Sequence, residues 1–405
     1  MGVTATGLRN VAVSTLLLTA PYAARPYGHE WTAPEQQIRS HKFGPGECGP
    51  VDPTYIHLAN ETGGQPFFLN PSEVAKAFHY IRESSGGQDE TLLWAAGTFV
   101  PGPAQEFAIP IDSTVRRVTF SLSVDTSGSD FVVADPAGAA IAAADSRTEI
   151  TVLNCGRIIT VDAPAPGMWR VRTAGVGRFW MTTHARSELS FVSAEFMRPG
   201  GRPGHEGLFR IHGQPLAGAP GTLRTVVSRE HVRSAAFDLV SMHGDALGEV
   251  RLKPDTADDG DEYLSIVDLP SQPFRVRATG LDDAGRRFQR VFHTLFHAET
   301  VEVTPGMTAV EDVPPGSSRV VPFSVRNTGS AATFRIIAAD GRRMITKFGP
   351  ATLSLEPGAS ATINVWIDVP ADAAPGTGTD ITVTATSDAQ PQTTNGATVH
   401  VTVAR

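Results

Sequence analysis

The 405-residue sequence predicts a mainly β protein, a row of tandem β-sandwiches preceded by a small α/β piece near the N-terminus. Three observations predict it. From Gln88 almost to the end, apolar and polar residues alternate with the two-residue period of a pleated strand. Gly 39 and Pro 30, together about a sixth of the chain, fall between these runs as turn punctuation. Helical spacing is confined to a stretch between Thr54 and Ile81.

In chain order, residues 1–52 form a leader or irregular segment. Arg9 precedes the apolar run Val11–Ala20, and small residues follow at Ala23 and Ala24, the layout of a secretory signal; a wrongly placed start codon or a plain buried strand accounts for the same run. From Thr32 to Pro53 the sequence is polar, rich in Gly and Pro, and without period. Residues 53–87 carry the α/β piece. Tyr55, Leu58 and Ala59 share a helical face, and Gly63-Gly64 ends that helix in the left-handed conformation. A strand follows at Pro66–Leu69, then Ser72 caps a helix with Val74, Ala77, Phe78 and Ile81 on one side. Ser84-Ser85-Gly86-Gly87 terminates it.

Residues 88–186 read as a jelly-roll-like sandwich, with Val115–Val124 alternating as a half-buried strand, Phe131–Ala134 running into Asp135-Pro136-Ala137-Gly138, and Met168–Arg172 leaving Ala165-Pro166-Gly167. Residues 187–297 and 298–405 each read as an immunoglobulin-like sandwich. The first has strands at 207–212, 222–228, 236–241, 263–267, 274–279 and 288–292, with a hairpin at Asp282-Asp283-Ala284-Gly285. The second has strands at 319–325, 333–338, 351–355, 361–369, 379–386 and 398–403.

Composition excludes some functions. A net charge of -8 with no basic block gives no footprint for a phosphate backbone, so no nucleic-acid partner is expected. No apolar run reaches the roughly 18 to 20 residues of a transmembrane segment. Cys 2, namely Cys48 and Cys155, rules out a four-thiolate zinc site within one chain; a disulfide and two buried thiols both fit.

Local signatures of catalysis are absent: no Gly-x-Ser-x-Gly, His-Glu-x-x-His, Cys-x-x-Cys or Walker loop occurs, and no catalytic residue or cofactor is assigned. His293 and His297, on a strand favoured by their aromatic neighbours, would stand about 13 Å apart, too far to share a metal. They are expected to be structural or solvated. The acidic run Asp255, Asp258, Asp259, Asp261 offers hard oxygen ligands for a weak calcium site, although its spacing is not that of an EF-hand and a solvated hairpin tip is expected ahead of it. Trp169, Trp180 and Trp366 lie in alternating strands, where core packing is expected ahead of sugar stacking. Asn60-Glu61-Thr62 is a glycosylation sequon whose access the Thr-Gly-Gly turn restricts.

Tyr55, Leu58, Ala59, Thr62-Gly63-Gly64-Gln65, Phe67, Leu69 and Ser72-Glu73-Val74 resemble the C-terminal end of a von Willebrand factor type A domain. The Asp-x-Ser-x-Ser metal signature of that family is missing and its parallel core strands find no counterpart, so no metal ligands carry over. The stretches Phe107–Leu122, Pro164–Trp169, Pro270–Gly280, Asp282–Gly285 with Phe288 and Arg290, and Val325–Gly329 resemble the region that follows the type A domain in hemicentin-like proteins. The first sandwich also resembles jelly-roll domains of secreted bacterial peptidases. The resemblance implies a secreted or cell-surface protein without catalysis, an adhesion or spacer molecule with an extracellular protein ligand. The alternative is a glycan- or polymer-binding accessory region of a secreted hydrolase system.

Overall fold

A computed structural model describes residues 15–18, 48, 53–76, 89–143, 145–201, 204–228, 230–250, 253–254, 261–307 and 309–404. It is mainly β, as the alternating pattern predicts. Strand β1 (Thr15–Leu18), helix α1 (Pro53–Thr62) and strand β2 (Pro66–Leu69) open it. β1 pairs in parallel with β2 from Thr15 opposite Pro66 to Leu18 opposite Leu69. Four residues of the leader-like run therefore have a strand partner, and a parallel pair exists where the sequence showed none. The helix is rotated from its expected orientation: Ile56, Ala59 and Thr62 are buried and Tyr55 is exposed, because small Ala59 and Thr62 permit a close approach that a Tyr55–Leu58 face would hold off. A turn at Pro71–Glu73 follows, capped at Asn70 rather than Ser72, with the Asn70 N–H donating to the Glu73 carboxylate at 2.9 Å. Of the expected second helix, Ala77, Phe78 and Ile81 lie outside the described residues.

The first sandwich contains β3 (Asp89–Thr98), β4 (Gln105–Ile111), β5 (Val115–Val124), β6 (Asp130–Ala134), β7 (Thr148–Leu153), β8 (Gly156–Asp162), β9 (Gly167–Ala174) and β10 (Arg178–Ser187). They form a 5-stranded sheet, β3-β10-β5-β8-β7, and a 3-stranded sheet, β4-β9-β6. Ile109, Ile111, Phe120, Leu122, Trp169 and Val171 fill the space between, with Phe120 stacked on Trp169 at 5.6 Å. The polar side of β5 departs from expectation: Ser121 and Ser123 are fully buried. The reason is β2, four buried residues laid over that outer face, with Phe68 against Trp180 at 5.4 Å and Phe67 and Leu69 against Leu153 and Ile158. Cys48 and Cys155 form a disulfide with Cα atoms 5.9 Å apart, which decides between the two states the sequence allowed.

The second sandwich contains β11 (Phe191–Gly200), β12 (Gly207–Arg210), β13 (Gly221–Val227), β14 (Val232–Ser241), β15 (Ala246–Val250), β16 (Lys253–Pro254), β17 (Glu262–Val267), β18 (Phe274–Asp282) and β19 (Arg287–Val291). Sheets β12-β11-β13-β17-β16 and β15-β14-β18-β19 enclose Phe191, Phe196, Phe237, Phe274, Phe292 and Phe296. The Asp282–Gly285 hairpin forms as expected, with the Gly285 N–H donating to the Asp282 carbonyl at 2.9 Å.

The third contains β20 (Val301–Pro305), β21 (Ala309–Val313), β22 (Ser318–Asn327), β23 (Ala332–Asp340), β24 (Ile345–Gly349), β25 (Thr352–Leu355), β26 (Ser360–Asp368), β27 (Gly378–Ser387) and β28 (Thr394–Val403). Sheets β20-β22-β26-β24 and β21-β28-β27-β23-β25 bury alternate residues such as Ile363, Val365 and Ile367. Each such side chain contributes about 1.5–3 kcal/mol by leaving water.

Candidate functional site at the buried joints

The Thr62-Gly63-Gly64-Gln65 turn joins three units. Trp94 on β3 donates its indole N–H to the Gly64 carbonyl at 2.9 Å. The Gln65 amide donates to the Trp180 carbonyl at 2.9 Å, and its oxygen accepts from Ser121 at 2.5 Å and Thr182 at 2.7 Å. Gln65 thus satisfies hydroxyls that β2 removes from water. From the second sandwich, Arg275 lies over the Trp94 ring at 4.2 Å and donates to the carbonyls of Asn60 and His293. Asn60 is in the last turn of α1, where exposed carbonyls favour a cation. Burial pulls the Arg275 guanidinium down to about 9, with the charge of Glu61 opposing it.

Gly63 has φ +76, and a Cβ there would meet the His293 carbonyl oxygen at 2.5 Å. Gly63→Ala should therefore destabilise the protein by at least the 1–2 kcal/mol of a left-handed non-glycine residue, with the backbone clash adding to it. A thermal melt of the variant checks this, and an unchanged midpoint would contradict the turn's role.

A second polar set locks the first two sandwiches. Arg290 on β19 and Asp112, directly after β4, form an ion pair at 2.8 Å with both side chains 0% exposed. Asp112 Oδ2 makes no hydrogen bond of acceptable geometry despite that distance, so the pair is Coulombic rather than aligned. Arg290 also donates to the carbonyls of Leu189 and Gln289 and to the Ser187 hydroxyl at 3.0, 2.8 and 2.6 Å. Asp282 accepts from the N–H and hydroxyl of Ser113 at 2.8 and 2.5 Å, and Gln289 donates to the Leu92 carbonyl at 2.7 Å. Glu90 accepts from the Phe191 N–H at 3.0 Å, and burial holds its carboxyl above the ordinary range against the pull of that bond and of Arg290.

The residues singled out from sequence are placed as follows. Asp255, Asp258 and Asp259 lie outside the described residues; Asp261 is half-buried, its carbonyl accepting from the Val227 N–H at 3.3 Å. Among the described residues no group of three or more His, Cys, Asp or Glu side chains is arranged to hold a metal ion. The expected strand through His293 and His297 ends instead at Val291, because the chain turns to pass between units. His297 meets Glu61 at 2.9 Å, a pairing of residues from different units that no local pattern signals. Trp169 and Trp180 are core, as expected. Trp366 is not: alternation in β26 turns it outward, where Lys347 lies over its ring at 4.3 Å beside exposed Val320. At the sequon, Thr62 is fully buried and donates to the Leu58 carbonyl at 2.8 Å, so the turn is packed against modification. No helix among the described residues is long and apolar enough to cross a membrane.

Sandwiches in series, joined by buried polar contacts, define a multidomain β protein. Residues 93–188 match the hemicentin galactose-binding domain-like family model, and residues 302–405 match the VWA7 Ig-like domain model. The chain is similar to mouse hemicentin-1, 26% identical over 247 residues, which is 60% of this chain and 4% of that protein. It is similar also to rat von Willebrand factor A domain-containing protein 7, 26% identical over 365 residues, covering 83% of this chain and 39% of that protein. The chain thus spans a minor part of both relatives. A fragment of three titin immunoglobulin domains aligns with 76% of this chain and all of its own length, at 12% identity and a TM-score of 0.19.

Proposed function

We propose that the chain is an extracellular, non-catalytic adhesion or spacer protein, its sandwiches divided at 88–186, 187–297 and 298–405, that acts by binding a protein ligand. The observation carrying this reading is the pair of buried joints, which fix the first two sandwiches and the α/β piece at set orientations. A spacer needs fixed orientation more than it needs reactive groups. The disulfide supports export, since such bonds persist in oxidising compartments. The resemblance to hemicentin-like regions supports the adhesion role.

Outward-facing Trp366 favours the second reading, a glycan- or polymer-binding accessory role, because its ring beside exposed Val320 suits a sugar face that takes the place of the Lys347 ammonium now over it. The two readings separate in one experiment. The purified chain is used to capture matrix proteins before and after enzymatic deglycosylation, and is applied to a glycan array. Capture that survives deglycosylation and is unchanged in Trp366→Ala is the expected result. Array binding abolished by Trp366→Ala would replace it with the glycan reading.

A further inference from the structure

The segment Phe292–Thr300, between β19 and β20, is fastened on two sides. Toward α1, the Leu295 N–H donates to the Glu61 carbonyl at 3.2 Å and His297 Nε2 meets Glu61 Oε1 at 2.9 Å. Toward the third sandwich, the His297 N–H donates to the Gln214 side-chain oxygen at 3.1 Å, and the Gln214 amide donates to the Leu295 carbonyl at 3.2 Å. The Glu299 N–H donates to the Pro215 carbonyl at 2.9 Å, and its carbonyl accepts from the Ala217 N–H at 2.8 Å. Gln214 passes the connection on: its N–H donates to Asn395 on β28 at 2.8 Å, and the Asn395 amide donates to the carbonyls of Gln214 and Val301 at 3.1 and 2.9 Å. The α/β piece, the second sandwich and the third sandwich meet on this one segment.

Its charges are coupled to one another. His297 faces Glu61 from α1, Glu299 from its own segment and Arg275 from β18. Glu299 faces His297 and Glu61, and from β28 the backbone N–H of Thr394. His57, one helical turn before Glu61 and mostly exposed, stands 3.8 Å from it. The loop Gln214–Ala217 brings neutral side chains alone. Arg275 stays charged while it donates to carbonyls, so with His297 charged and both carboxylates ionised the four groups sum to zero, and in this largely buried place every proton taken up or released changes the net charge of the cluster.

We propose that Phe292–Thr300 is a proton-dependent latch, fastened at mildly acidic pH with His297 charged against Glu61 and Glu299 neutral, and loosening as pH rises through neutrality to free the third sandwich. Both titrations carry the same sign. Burial raises the Glu299 carboxyl from 4.5 to about 7, so the fastened form holds a proton that the released form gives up, and the latch weakens as pH climbs across that interval. Burial works against charge on His297, but its bond to Glu61 prevails and holds the imidazole above its ordinary value. That stabilisation is full below the ordinary imidazole value and is lost as pH rises through the elevated one.

Hydrogen–deuterium exchange of the full chain at pH 5.5 and pH 8.0, corrected for intrinsic rates, tests the latch at the amides of Leu295, His297 and Glu299. The opening equilibrium should be on the order of tenfold larger at the higher pH. Glu299→Gln, which keeps the backbone bonds and mimics the neutral acid, should stay protected at pH 8.0 and lose most of the pH dependence. Protection independent of pH in the native chain, or a Glu299→Gln profile as steep as the native one, overturns the proposal. Should the variant fail to fold, the native profile alone decides.

Discussion

Arg290→Met should lower the stability of the first two sandwiches by about 3–5 kcal/mol, the cost of leaving a buried charge without its partner. Asp112 keeps bonds from the Thr114 N–H and hydroxyl at 3.0 and 2.5 Å, but Arg290 is the cation recorded against it, and Glu90 lies within electrostatic reach of both. Removing the guanidinium leaves two buried carboxyl groups facing each other and takes one donor each from Leu189, Gln289 and Ser187, of which Leu189 and Ser187 keep other partners. Urea unfolding followed by the fluorescence of Trp94, Trp169 and Trp180, all in the first sandwich, should show the midpoint falling. The sign with pH follows from the same charges. In the variant Glu90 loses the Arg290 charge that opposes its burial, so the folded state gains by holding a proton there and its deficit should be smaller at pH 5 than at pH 7.5. Adding Asp112→Asn should recover part of the loss. A shift under about 1 kcal/mol would mean that water reaches the pair and that the joint does not lock the two units.

What the sequence shows of this molecule divides along the range of the forces involved. Strand existence depends on alternation within a few residues, so Val115–Val124 and the inward Ile363, Val365 and Ile367 are legible directly. The burial of Ser121 and Ser123 is not, because it depends on β2, which comes from more than fifty residues earlier and covers a face that alternation assigns to water. Short or irregular strands such as Ile345–Gly349 and Thr148–Leu153 escape for a different reason: their pairing partners supply the order that their own pattern lacks. The joints are the extreme case. Arg290, Asp112 and Glu90, or Glu61 with His297, are ordinary polar residues in sequence, and only the docking of separate units makes them buried. The nearest available signal was the Thr-Gly-Gly turn, because Gly63 is required both by its positive φ and by the backbone of His293 against it. Trp366 went the other way: a tryptophan in an alternating strand looks like core, and its place in the alternation turns it to solvent.

Cys155→Ser should cost roughly 4–5 kcal/mol if the bridge acts mainly on the unfolded chain, since it closes a loop with a sequence separation of 107. For units of this size that corresponds to a fall in melting temperature of roughly 15–40 °C. The native contacts argue that little of this is returned by relaxation. Both cysteines are buried, the Cys48 N–H donates to the Asp125 carbonyl at 3.0 Å, and the Cys155 carbonyl accepts from the Val124 N–H at 3.0 Å, so the bridge sits in backbone that is already ordered. Beside it, Glu73 accepts from the Asn154 N–H at 2.6 Å, tying the turn after β2 to the same hairpin. The first part to detach should therefore be α1 and β2, and their release exposes the polar outer face of β5 and β10 that they cover. The native chain treated with reductant should melt where Cys155→Ser melts, and exchange protection should fall first at Phe67–Leu69. Equal melting of the native and variant chains, with two free thiols titrated in the unreduced native protein, would remove both the stabilisation and the disulfide's support for an oxidising compartment.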